Sequence, residues 1–117
     1  MVGWNEASRV SVEAAIKEYP AASGKCAEVA RKIVPVAKEH DATAVPRVLR
    51  PSEGYFVTPK IKGVGRWFHH VATHVSMHFV DALTGADGEA DATYLTKNWQ
   101  HPDALVWTDA DLDDETL

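Results

Sequence analysis

Three residues in this sequence, Cys26, His70 and Asp81, are of the types that together break acyl bonds. A thiolate attacks the carbonyl, an imidazole moves the proton, and a carboxylate orients and charges the imidazole. Cys26 is the sole cysteine, which excludes an internal disulfide and any multi-cysteine zinc site. It is therefore either a small buried hydrophobe or a reactive thiol, and its setting decides. It follows the small-residue loop Ala21-Ala22-Ser23-Gly24-Lys25 and opens a stretch with helical periodicity. Unpaired N–H groups and the dipole at a helix N-terminus favour a thiolate, and the same donors can receive an oxyanion.

The histidines cluster in Trp67 to Asp81. A hairpin with Val75 and Ser76 at its turn places His70 opposite Asp81, where directly opposed Cβ atoms lie roughly 4.5–5.5 Å apart. That spacing lets the carboxylate hold one ring nitrogen while the other faces the thiol. His74 shares the face of His70 and is the rival base. His70 is preferred because it begins the strand. His69 points to the opposite face and reads as structural, as does His78, expected there opposite Thr73.

These side chains need elements to position them. Ser8 to Tyr19 has helical spacing, with Ser8 or Ser11 as cap, and Pro20 stops it. A second helix begins at Cys26, with Val29, Ala30, Ile33 and Val34 on one stripe, and Pro35 is expected to kink or end it. Thr43 to Leu49, Tyr55 to Ile61, Trp67 to Val75 and Met77 to Leu83 read as strands. Ala92 to Trp99 reads as a short helix. Helices followed by a mostly antiparallel sheet define an α+β domain. The whole chain, 1–117, is expected to be one domain, with 109–117 an acidic tail, solvated or disordered.

The segments Ser23-Gly24-Lys25-Cys26-Ala27-Glu28-Val29-Ala30, His70-Val71-Ala72-Thr73-His74-Val75 and Phe79-Val80-Asp81-Ala82-Leu83-Thr84-Gly85 occur in that order. They resemble the papain-like cysteine hydrolases, in particular the short toxin and effector domains, over about residues 20 to 100. The last segment looks like an Asp-Pro-Thr ending with Ala82 in place of proline. The resemblance implies a papain-like fold in which N-terminal helices pack on the sheet. Cys26 is then the nucleophile, His70 the base that later protonates the leaving group, and Asp81 its orienting partner. It implies a peptidase, amidase or Gln deamidase acting on a protein substrate, with a cognate inhibitor or immunity protein as a further partner and no cofactor or metal. One feature departs from the family: a Gln normally precedes the cysteine as an oxyanion donor, and here the region reads Glu18-Tyr19-Pro20-Ala21. The Cys26 N–H must serve instead, with Asn5 or Ser23 as the expected helpers. Loss of one such donor costs roughly 100- to 1,000-fold in turnover.

A formal charge of −5 argues against general nucleic-acid or anionic-membrane binding. No apolar run reaches the length of a membrane span, and the first residues carry no signal-peptide pattern. A cytoplasmic origin is expected, with any delivery by a signal-independent route. Two other readings accompany the enzyme. His70, His74 and His78 would line one face of a helix and could bind a transition metal. Trp4, Trp67, Trp99 and Trp107 would anchor partners in a non-catalytic interaction domain if they were exposed.

Overall fold

The computed structural model describes all 117 residues. Helix α1 spans Glu6–Glu18, and its cap is Asn5, whose Oδ1 accepts the Ser8 N–H at 2.7 Å. Neither Ser8 nor Ser11 serves; Ser8 is buried inside the first turn. After Pro20 the chain makes one 3-10 turn, Ala21–Ser23, and then reverses at Gly24, which has φ +69°. That left-handed conformation costs a side-chain-bearing residue roughly 1–2 kcal/mol. The turn delivers the chain into helix α2, Cys26–His40, which buries Ala27, Val29, Ala30, Ile33, Val34 and Ala37 along one stripe. Pro35 does not end α2. It sits on the exposed side, and the buried stripe holds the helix together through His40.

The sheet is formed by β1 (Val45–Pro51), β2 (His70–Val75), β3 (His78–Val80), β4 (Glu89–Ala90) and, after helix α3 (Asp91–Asn98), β5 (Leu105–Asp109). Its order is β4-β3-β2-β1-β5 and every neighbouring pair is antiparallel. The domain is therefore α+β, with three helices and a five-stranded antiparallel sheet. One expectation fails here, and one strand is additional to those expected. Tyr55 to Ile61 is no strand and contributes only the single bridges Val57 to Trp67 and Pro59 to Trp99, since Pro59 has no N–H for a ladder. Conversely, the alternating segment Leu105–Asp109 forms an edge strand on β1, which the composition of the acidic end conceals.

The β2–β3 turn also differs from its expected place. Val75 pairs with His78, so Ser76 and Met77 form the turn, both in the left-handed region at φ +50° and +62°. Two-residue hairpins favour this turn shape because it matches strand twist. The register consequently moves by two residues: Thr73 pairs with Val80 and His74 with Phe79, and His78 does not face Thr73. His70 and Asp81 become diagonal neighbours rather than directly opposed. An even shift preserves the face, so both still point the same way.

The two faces of the sheet carry different cores. Val71 and Val75 on β2 pack under α1 and α2 with Val12, Ala30 and Ile33. Ala72 packs on the other face with Phe79, Tyr94 and Trp99, under α3 and the long β1–β2 connection. Replacing Ser76-Met77 by Asn-Gly relieves two left-handed conformations and stabilises the domain by about 1–2 kcal/mol. Thermal denaturation should show the midpoint rising by several degrees; an unchanged or lower midpoint would contradict this turn.

Candidate active site

The first turn of α2 ends over the start of β2, and there Cys26 meets His70. Lys25 caps α2 through no side chain, which leaves the first-turn N–H groups unclaimed by one. The backbone N–H groups of Ala27 and Val71 also favour the Cys26 thiolate. Cys26 is half-buried, and burial opposes its ionisation. The proximity and charge of His70, with those two N–H groups, outweigh burial and hold the thiol below its ordinary value.

His70 and Asp81 are each only 2% exposed, so their charges depend on each other rather than on water. His70 Nε2 lies 2.7 Å from Asp81 Oδ2. With Nε2 taken, Nδ1 is the nitrogen that serves the sulfur. Nδ1 makes no regular hydrogen bond, although Cys26 acts on the ring, so this contact is looser than the one to Asp81. Catalytic hydrogen bonds are often long in the free enzyme and tighten around the reacting group. Burial disfavours the imidazolium, yet the hydrogen bond to Asp81, the neighbouring Cys26 sulfur and the charges of both raise His70 to about 9. Burial likewise opposes the Asp81 carboxylate, and His70, Tyr94 and Thr84 overcome it, keeping the group below its ordinary value. Both shifts, Cys26 downward and His70 upward, run toward a thiolate–imidazolium pair.

Asp81 is fixed by the turn that follows β3. Its Oδ1 accepts the N–H groups of Leu83 at 2.9 Å and Thr84 at 3.0 Å, while its own N–H donates to Thr84 Oγ1 at 3.1 Å. The Tyr94 hydroxyl, buried on α3, donates to Asp81 Oδ2 beside the imidazole. Nothing in the sequence pattern distinguishes Tyr94 from a core aromatic, and it was not foreseen. The imidazole is also enclosed by indoles: Trp67 stacks on it at 5.5 Å and 15°, and Trp99 lies tilted at 4.9 Å. Aromatic faces favour a cation and exclude water.

The remaining expected residues sit elsewhere. His74 Nε2 pairs with Asp91 Oδ1 at 2.8 Å and does not line the cleft. His69 does line it, contrary to a purely structural role, and burial lowers its basicity. Asn5 is committed to capping α1, and Ser23 Oγ donates to Pro20 O at 2.6 Å, so neither is placed as an oxyanion donor. His70, His74 and His78 lie on strands, not on one helical face, and no three His, Cys, Asp or Glu side chains converge as a metal site. Trp4 and Trp99 are buried, and Trp67 and Trp107 are half-buried, so the four indoles form no exposed anchor set. Cys26, His70 and Asp81 border a single cavity of about 750 Å³, walled by the loop after α1, the residues preceding β2 and the segment after β5.

Tyr94→Phe keeps the ring and removes one donor from a buried carboxylate, so urea denaturation should show a loss of about 1–3 kcal/mol. An unchanged midpoint would mean that the hydroxyl does not hold Asp81. No protein-family model, no curated protein and no solved structure matches this chain.

Proposed function

We propose that this chain is a papain-like cysteine hydrolase that cleaves an amide or related acyl bond through Cys26, His70 and Asp81. The observation that carries the reading is the buried His70–Asp81 hydrogen bond at the same cavity that Cys26 lines, with one ring nitrogen left unpaired. The imidazole donates to the carboxylate and keeps its other nitrogen for the sulfur. His74, the other histidine on that strand face, is paired with Asp91 away from the cleft.

In the reaction the Cys26 thiolate adds to the carbonyl carbon. Negative charge develops on oxygen beside the Cys26 N–H, the donor nearest the sulfur along the chain. His70 Nδ1–H protonates the departing nitrogen, the C–N bond breaks, and a thioester remains on Cys26. The neutral Nδ1 then takes a proton from water, whose oxygen attacks the thioester. Acid product leaves and thiolate and imidazolium are restored. Asp81 stays ionised throughout and holds the ring in place. Peptide hydrolysis and Gln deamidation share this first step and differ in whether an amine or ammonia departs. A protein substrate and a toxin or effector role with narrow specificity suit one small domain whose cleft is confined to a single cavity.

Incubation with an activated aryl ester and acid quenching should trap a thioester on Cys26, detected by mass spectrometry. His70→Ala should slow adduct formation by about 100-fold or more, whereas His74→Ala should leave it near the unmodified rate. Cys26→Ala should form none while keeping a comparable thermal midpoint. Equal rates in His70→Ala and the unmodified chain, or a greater loss in His74→Ala, would refute the assignment.

A further inference from the structure

The segment after β5, residues 110–117, folds back along one wall of the cleft. Ala110 N–H donates to Pro46 O at 3.1 Å, and Arg31 donates from Nε to Leu112 O at 2.9 Å and from Nη2 to Asp114 O at 3.3 Å. Leu112 and Leu117 pack, with Cys26 itself, on the apolar ground of Ala27, Ala30, Val48 and Val71. The acidic side chains stay outward: Asp111, Asp113 and Glu115 are exposed. The surface beside the nucleophile is thus covered by leucines from an acidic segment whose backbone carbonyls are held by an arginine.

Charge points the same way. Asp113 and Glu115 on the cleft wall belong to the segment itself, and Asp81 is committed to His70. On the rest of the wall Glu28 pairs with Arg31, and Lys25 and Arg66 remain as cations with no ion-pair partner. That cationic wall lies on a chain of net charge −5. An apolar floor, a basic wall and an arginine that binds peptide carbonyls together fit one class of ligand.

We infer that the floor beside Cys26 is a subsite for an acidic, leucine-bearing polypeptide, and that residues 110–117 occupy it as an internal counterpart of that ligand. This rests on the proposed thiol chemistry, which gives a ligand at this position a reactive neighbour. A substrate of this class displaces the segment as it binds, so the leucine contacts set how readily the cleft accepts it.

The test compares Cys26 labelling by two peptide acyloxymethyl ketones, Asp-Leu-Asp and Lys-Leu-Lys, with iodoacetamide as a probe too small to need the subsite. The full chain should react with the acidic ketone about five-fold or more faster than with the basic one, the worth of a few screened charge contacts. Leu112→Ser with Leu117→Ser should accelerate the acidic ketone severalfold more than it accelerates iodoacetamide, since both leucines pack beside Cys26. If that pair fails to fold, the milder Leu117→Ala carries the same expectation in smaller measure. Equal rates for the two ketones, or no acceleration beyond that of iodoacetamide in a folded variant, would overturn the subsite while normal iodoacetamide labelling leaves the thiol reading standing. Slow iodoacetamide labelling with ordinary thiol pH dependence in the full chain would overturn the thiol reading, and the subsite with it.

Discussion

A carboxylate as deeply buried as Asp81 stays ionised only if its lone pairs find donors, and the fold supplies them from three directions. Leu83 and Thr84 give backbone N–H groups from the turn after β3, Tyr94 gives a hydroxyl from α3, and His70 gives Nε2–H from β2. Burial of an unpaired charge would cost several kcal/mol. Here the donors convert that cost into a fixed negative charge that orients one imidazole. The charge state of His70, and through it that of Cys26, follows from this one carboxylate.

The three elements that meet at the site are held by two different cores. α2 brings Cys26 from the helical side of the sheet, clamped by the Ala30 and Ile33 stripe on Val71 and Val75. Asp81 and Tyr94 belong to the other side, with Phe79 and Trp99. His70 stands at the end of β2 where these sides meet, so it is the one residue able to touch both. Indole rings from Trp67 and Trp99 cover it and keep water from screening the pair. The proposed chemistry therefore depends on the relative placement of the helix and the sheet rather than on any local motif.

Much of this placement was legible in the sequence because it rests on short-range rules. Gly24 before Cys26 announced the turn into α2, and the helical stripe from Val29 to Val34 announced its buried face. The chemistry-bearing face of the hairpin was also legible, even though the turn lies one residue later than expected, because an even register shift keeps His70 and Asp81 on one side. What was not legible depends on contacts remote in sequence. Tyr94 looks like any core aromatic until α3 docks on β3. Leu105–Asp109 becomes a strand because β1 offers it a partner, and Leu112 and Leu117 find apolar ground only once α2 and the sheet are assembled. Tyr55 to Ile61 has strand composition, yet its neighbours leave it only isolated bridges.

In the proposed mechanism sulfur and imidazole exchange a proton under the control of Asp81. Its most direct test is a nuclear magnetic resonance titration of the His70 ring nitrogens, recorded alongside the ultraviolet absorbance of the Cys26 thiolate. His70 should keep its second proton until about pH 9, with thiolate present below the ordinary cysteine value of about 8.5. A ring that titrates near the ordinary histidine value of about 6.5, beside a sulfur that remains a thiol to its usual range, would contradict that mechanism.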